Sequence, residues 1–237
     1  MGFECISRTH VGLKRKINED SVFVDSGRGL WAVADGMGGH EAGEVASGMV
    51  TDALAALPDC DDLDGLVAGA VAALQSVNGR LIELARSIES DRTIGTTVVA
   101  LAIAGGSYRC FWAGDSRAYC IRDGKIARLS RDHSLVQDLV DAGMIKPEEA
   151  ERHENANVIT RAVGVRESVE VDCVCGEARP GDLFLLASDG LTRLVDDQEI
   201  AAGLARGSLD EAVDRLIEIV LERGAPDNVS LIVVRLP

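Results

Sequence analysis

The sequence is short of positive charge. Lysine and arginine number 24 against 39 aspartates and glutamates, for a formal net charge of -15 and a pI near 4.6. Nucleic acid is thereby excluded as the main partner, because no basic stretch is present to neutralise phosphates along a groove. Long apolar runs are missing as well. No stretch reaches the roughly 18 consecutive apolar residues of a membrane-spanning helix, and MGFECISRTH at the N-terminus has no apolar segment of the kind that marks a secretory signal. Gly2 is followed at the sixth position by Ile6, where a myristoylation signal wants Ser or Thr. The expectation is a cytoplasmic chain with no membrane partner. The six cysteines form no CxxC pair. Cys110, Cys120 and Cys173 sit in apolar runs, so reduced, buried thiols are expected, and a zinc site at Cys173 and Cys175 lacks further ligands at suitable spacing. There is no low-complexity linker and no internal repeat. What remains is a globular composition, 46% hydrophobic and 27% charged, in a chain of 237 residues. That is enough for one substantial core, and residues 1–237 read as a single domain.

Short runs rich in Val, Ile, Leu and aromatics predict strands at Ser21–Asp25, Leu30–Ala34, Thr96–Ile103, Tyr108–Ala113, Ala118–Arg122, Lys125–Leu129, Val169–Val174, Asp182–Ala187 and Val229–Leu236. Asp123-Gly124 is a hairpin turn between two of them. Apolar residues at three- and four-residue spacing predict long helices at Glu44–Leu57, Leu63–Ile88 and Ser208–Arg223, with shorter ones at Ser134–Ala142, Pro147–His153 and Gln198–Ala205. Strands that follow one another in runs pair antiparallel. Two packed sheets flanked by helices fit this order, and the pattern alone leaves the number of layers open.

The chemistry gathers where apolar runs meet acids. LWAVADG reaches Asp35, RCFWAGDS reaches Asp115, LFLLASDG reaches Asp189, and Asp227 precedes the last strand in PDNVSLIVV. Small residues surround each: Gly36, Gly38 and Gly39; Gly114 and Ser116; Ser188 and Gly190; Asn228. A lone Asp-Gly after a strand is an ordinary turn. Four such acids are another matter, and after Asp35 the chain runs into a glycine-rich stretch and a helix rather than a returning strand. Carboxylates packed together repel unless a cation neutralises them. Mg²⁺ and Mn²⁺ prefer such oxygen ligands, and glycines let backbone and substrate come close. Two such ions can share a water and make it acidic enough to give hydroxide near neutral pH. Arg15, in Arg15-Lys16-Ile17-Asn18-Glu19-Asp20, stands just ahead of two more acids. Alone that stretch is a mixed-charge surface loop. Beside a metal cluster, its guanidinium would fork onto phosphate oxygens. Carboxylates for metal plus one arginine read as phosphate ester hydrolysis.

These pieces, in this order, resemble the metal-dependent protein phosphatase family, also called protein phosphatase 2C, in its short bacterial form. The matching stretches are Arg15–Asp20, Val33–Ser47, Ile94–Leu101, Trp112–Tyr119, Ser130–Val140, Asn157–Gly164, Leu185–Thr192 and Asp227–Val234. The resemblance implies an α+β fold, a four-layer α-β-β-α sandwich of two antiparallel sheets between helix pairs, with a flap at about residues 130–164. It implies Asp35 as the acid shared by two ions, the Gly36 carbonyl as a further ligand, Glu19 on one ion and Asp189 and Asp227 on the other. Asp115, with Asp189, matches the position of a third, weaker ion. Asp20 is similar to an acid one step behind the metals, with a catalytic part in accepting from metal-bound water. Asn228 would stand beside the metal cluster and orient water. Arg15 matches the phosphate-binding arginine, and His40 is a candidate acid for the departing oxygen. His133 is expected to be structural or to gate the flap.

The implied activity is direct hydrolysis of phosphoserine and phosphothreonine on proteins by a hydroxide held between two Mn²⁺ or Mg²⁺ ions, in a monomer that opposes a bacterial Ser/Thr kinase. Cys110 is followed by FWAGDSR inside a strand, with its arginine seven residues on, which is not the spacing a cysteine phosphatase loop needs. Two other readings compete. One is a phosphate-sensing or partner-binding module of the same fold without turnover, which would have lost some of its acids. The other is a two-metal hydrolase of small phosphate esters, which would show an adenine pocket or a lysine-rich groove.

Overall fold

A computed structural model describes residues 2–38, 42–60, 62–87, 93–150 and 153–237. One sheet contains β1 (Glu4–His10), β7 (Arg117–Arg122), β8 (Lys125–Arg128), β10 (Leu183–Ala187) and β11 (Val229–Arg235), in the spatial order β1-β11-β10-β7-β8. The other contains β2 (Asp20–Asp25), β3 (Leu30–Met37), β5 (Val98–Ala104), β6 (Ser107–Ala113) and β9 (Asp172–Glu177), in the order β2-β3-β5-β6-β9, with the two-residue β4 (Gly95–Thr96) paired to the end of β3. All the pairings are antiparallel.

The apolar runs are nearly continuous because the central strands are buried on both faces, and successive side chains go to opposite sides. Leu30, Ala32, Ala34, Val98, Ala100, Phe111 and Ala113 pack against α1 (Ala42–Ala55) and α2 (Leu63–Ser87) through Ala46, Val50, Leu54, Leu66, Leu74 and Leu81. The alternate residues, Trp31, Val33, Val99, Leu101, Cys110 and Trp112, meet Ala118, Cys120, Phe184, Leu186, Ile232 and Val234 of the opposing sheet. That sheet's outer face, with Tyr119, Leu185, Ala187, Leu231 and Val233, is covered by α6 (Asp197–Leu204) and α7 (Leu209–Glu222). The result is the expected four-layer α-β-β-α sandwich. By length and composition α2 is apolar enough to cross a membrane, and the packing explains why: its stripe of Leu66, Ala70, Leu74, Val77 and Leu81 belongs to the core.

Several boundaries differ from expectation. β1, ECISRTH, carries polar residues throughout and has no apolar run to announce it. It forms because its backbone extends the sheet alongside β11, Glu4 opposite Arg235 through His10 opposite Val229. β9 starts three residues later than predicted and is an edge strand that turns Val174 and Gly176 inward. Cys173 is therefore exposed rather than buried, as is Cys175, and all six cysteines are free thiols. The predicted strand from Thr96 breaks at Thr97 into β4 and β5. The predicted end of α2 at Ile88 lies outside the described residues, the helix expected at Ser134–Ala142 is α3 (Leu135–Asp141), and of the one expected at Pro147–His153 the described residues form the turn α4 (Pro147–Ala150). The Asp-Gly hairpin forms between β7 and β8, with both Asp123 (φ 51°) and Gly124 (φ 72°) left-handed as a type I′ turn requires. α6 and α7 each begin with a reciprocal cap, Asp196 with Glu199 and Ser208 with Glu211.

Leu101 is fully buried between the two sheets. Leu101→Ala is expected to cost about 2–5 kcal/mol of stability, read as a lower urea midpoint with an unchanged slope. A loss well under 1 kcal/mol would mean that the inter-sheet layer is loosely packed.

Candidate active site

The register of β2 against β3 sets Asp20 directly opposite Asp35, and the Gly36 amide donates to the Glu19 carbonyl at 3.1 Å. Glu19, just ahead of β2, and Asp20, its first residue, thus flank an acid and a glycine of β3. Gly36 and Gly43, the latter in the first turn of α1, make the approach possible. A Cβ at Gly36 would fall 2.0 Å from the Gly43 carbonyl oxygen, and one at Gly43 would fall 2.4 Å from Glu19 Oε1. The Glu19 carboxylate therefore sits at the N-terminal end of α1, where the helix dipole favours negative charge.

Asp35 is gripped through its backbone. Its amide donates to Thr97 Oγ1 at 3.1 Å, and its carbonyl accepts from Thr97 N at 2.8 Å and Thr96 Oγ1 at 2.9 Å. The break between β4 and β5 is what turns both threonines toward it. Asp115 follows β6 after Gly114, and Thr97 Oγ1 lies 2.7 Å from Ser116 Oγ beside it. Asp189 opens α5 (Asp189–Thr192), a single turn missed in the sequence because its first residue is the acid itself. A Cβ at Gly190 would lie 1.8 Å from the Asn228 carbonyl oxygen, so α5 sits directly on the chain leading into β11. Asp227 is two residues before that strand.

Asn228 is fully engaged. Its Oδ1 accepts from the Glu19 amide at 2.8 Å, and its Nδ2 donates to the Val11 and Ile17 carbonyls at 2.8 and 3.0 Å. It pins the loop that carries Arg15 and Glu19. Arg15, half exposed, donates to Asp227 Oδ2 at 2.8 Å, and the charges of Glu19 and Asp35 also act on it.

The acids crowd one another. Burial, with the charges of Asp189 and Asp227, pushes Asp20 up to about 7 against hydrogen bonds from Ser230 and Ser188; Ser188 Oγ donates to its Oδ2 at 2.8 Å. Burial, with Asp189 and Asp132, pushes Asp115 up to about 7 while Arg193 pulls the other way. Asp35 lies well above the ordinary carboxylate range through burial and then Asp20, Asp189, Asp115 and Asp227. Asp189 is raised by burial and by Asp227, with Arg193 opposing.

Among the described residues, three buried oxygens, Glu19 Oε1, Asp20 Oδ1 and Asp115 Oδ1, have no hydrogen-bond partner. An unpartnered buried carboxylate oxygen is costly, and a set of hard oxygen donors in excess of its counter-charges suits a hard divalent cation. Among the described residues no three acids, histidines or cysteines already stand grouped at ligand distances. Three carboxylates are instead in contact with arginines, Asp227 with Arg15 and both Asp115 and Asp189 with Arg193. The donors fit an ion by chemistry, and the Arg15 contact with Asp227 must open for them to close around it.

His40 lies outside the described residues. His133 is structural: it is buried, its Nδ1 accepts from Gly114 N at 3.1 Å, its Nε2 lies 3.2 Å from Asp172 Oδ2, and its ring stacks on Trp112. Burial lowers its pKa, so a neutral ring ties the end of β6 to the segment 130–164. A cavity of about 580 Å³ opens beside Asp115 and Asp189 beneath that segment, with Val136, Val140, Pro147 and Ala156 on its wall. Sequence reasoning missed Thr96, Thr97 and Arg193 as parts of the site. Arg193, four residues beyond Asp189, had a signal in that helical spacing.

The model of the protein phosphatase 2C family matches residues 13–230. Serine/threonine protein phosphatase PstP of Mycobacterium tuberculosis is 43% identical over 230 residues, 96% of this chain, and the chain spans 44% of that relative's length. PppA, a key regulatory component of the T6SS in Pseudomonas aeruginosa, has a structure that superposes with TM-score 0.90 at 40% identity, covering 99% of this chain and 98% of that one. The catalytic domain of PstP in complex with two manganese ions superposes with TM-score 0.87 at 40% identity over 98% and 97% of the two chains.

Because folded Asp20 and Asp115 hold protons up to about pH 7, whereas unfolded carboxylates release theirs near 3.8, the folded state binds more protons between those values. Stability in chelator therefore falls as pH rises through that window. Asp35→Asn should flatten this fall, read as urea midpoints at a series of pH values. A gap between variant and wild type that does not widen with pH would mean that the acids do not repel.

Proposed function

The chain belongs to the protein phosphatase 2C family, and on that premise we propose that it hydrolyses phosphoserine and phosphothreonine on proteins with the help of divalent metal ions. The observation that carries this reading is the gathering of Asp20, Asp189, Asp115 and Asp227 around the Asp35 carboxylate at the end of a rigid strand, where burial first and these four charges after it raise its pKa, with Arg15 close by. Glu19, Asp35 with the Gly36 carbonyl, Asp189 and Asp227 would hold two ions, Mn²⁺ or Mg²⁺, and the likeness to a domain that binds two manganese ions supports that choice. When bound, the ions supply Lewis acidity and lower the pKa of water to near neutrality.

The chain's own groups do the rest. Among the described residues Arg15 pairs with Asp227 alone, and it is half exposed, so its guanidinium can turn a fork of N–H donors onto phosphoryl oxygens. Asp20, with Oδ2 held by Ser188 and Oδ1 unpartnered, would accept a hydrogen bond from metal-bound water. Asn228 and the Thr96–Thr97 pair keep Glu19 and Asp35 in place. His40 is assigned the role of acid toward the departing serine or threonine oxygen. A thiol nucleophile is disfavoured, because burial pushes Cys120 up to about 11 and Cys110 higher still. Phosphorylated proteins are the substrates, and a Ser/Thr kinase supplies them. We place the chain as a monomer in the cytoplasm, a reading that six free thiols support.

The test is phosphate release from a phosphothreonine peptide with Mn²⁺ or EDTA, for wild type and Asp189→Asn. Activity should require the metal and fall by about 10²-fold or more in the variant, the scale of losing one preorganised charge-stabilising group. A wild type that binds Mn²⁺ and releases nothing from any phosphopeptide would make the site a grip without a reaction. Arg15→Ala should lower kcat/KM by a similar factor while Mn²⁺ affinity stays within a few-fold, because the arginine serves the phosphate and not the ions. Loss of Mn²⁺ binding in that variant would contradict the assignment.

A further inference from the structure

Arg193 stands where the acid cluster meets the segment 130–164. It follows Asp189 by one helical turn, and its Nη2 lies 2.9 Å from Asp189 Oδ2 and 3.4 Å from Asp115 Oδ2. The same guanidinium reaches across to the segment. Its Nη1 donates to Asn157 Oδ1, and its Nη2 lies 3.4 Å from the Ala156 carbonyl. Asp115 is deeply buried, with one oxygen toward Arg193 and the other, Oδ1, unpartnered. Among the described residues, no other arginine or lysine pairs with Asp115 or Asp189.

Asp115 and Asp189 are also the pair that the family resemblance assigned to a third, weaker ion. Arg193 already bridges them. A divalent cation bound between the same two carboxylates would have to displace the guanidinium, and with it the contacts to Asn157 and Ala156. The guanidinium has two advantages in that competition. It is carried on the same helical turn, so its effective concentration at the site is that of a tethered ligand. It is also weakly hydrated, whereas Mg²⁺ gives up its water reluctantly.

We propose that Arg193 is the resident cation of this position, a guanidinium built into the chain that takes the place of a third divalent ion and, by the same contacts, ties residues 156 and 157 to the acid cluster. The inference rests on the reading that Glu19, Asp35, Asp189 and Asp227 hold two ions, and adds that the count stops there. Uptake of an ion between Asp115 and Asp189 and attachment of the segment are then mutually exclusive, and each weakens the other to the same degree. Arg193 is a positioning residue: it touches the acids and the segment, not the phosphate.

The experiment counts bound ions with Mn²⁺ alone, by calorimetric titration and by loss of the free-ion paramagnetic resonance signal. Wild type should bind two. Arg193→Ala should bind a third at least tenfold more tightly than wild type binds any additional ion, and the third should vanish in Arg193→Ala combined with Asp115→Asn. Arg193→Lys, which keeps the charge, should stay at two. Amide hydrogen exchange across residues 153–160 should quicken in Arg193→Ala. The inference is overturned by a third ion in wild type as tight as in the variant, by no gain in Arg193→Ala, or by unchanged exchange in that segment. A wild type that binds no Mn²⁺ would bring down the two-ion reading and this inference together; two ions in every protein would bring down this inference alone.

Discussion

Mutual repulsion among buried carboxylates is the constraint around which the structure is organised. Burial, and after it their charges on one another, raises Asp20, Asp35, Asp115 and Asp189 above the ordinary carboxylate range, and Asp227 adds its charge to Asp20, Asp35 and Asp189. A protein tolerates such a cluster only if something rigid holds it together and something positive compensates it. The rigidity comes from the ladder between β2 and β3, from the two threonines on Asp35, and from Asn228 clamping the loop that bears Glu19. The compensation visible within the chain is two arginines, one on each side, which leaves the acids in excess.

The sandwich serves that purpose by meeting at its ends. Asp20 and Asp35 belong to one sheet, Asp115 follows β6 of the same sheet, and Asp189 and Asp227 adjoin β10 and β11 of the other. The apolar layer between the sheets, with Trp31, Leu101 and Phe184 buried within it, fixes the spacing of the two groups of acids. Strands locate a carboxylate better than loops do, because their registers are set by ladders and by packing on both faces. The glycines at 36, 43 and 190 are the reverse side of this arrangement, because each marks a place where two backbones or a backbone and a carboxylate approach too closely for a Cβ.

Much of this was legible in the sequence, for physical reasons that also explain what was not. Strands buried on both faces announce themselves as apolar runs, and the acids are conspicuous because they interrupt those runs. β1 escaped notice because an edge strand needs only backbone partners, and its side chains ECISRTH carry no periodicity. Cys173 was misplaced because VDCVC reads as apolar, whereas the edge position of β9 turns alternate residues outward. The Thr96–Thr97 grip, the backbone clamp by Asn228 and the reach of Arg193 to Asn157 depend on contacts between residues far apart in the chain, which local pattern does not encode.

The central claim is that these acids form a site for divalent ions. It is tested most directly by diffraction from crystals grown with Mn²⁺, with data collected at the manganese absorption edge. The account predicts two anomalous peaks among Glu19, Asp35, Asp189 and Asp227, and Arg15 turned away from Asp227. Peaks at other residues, or none with Arg15 still on Asp227, would contradict it.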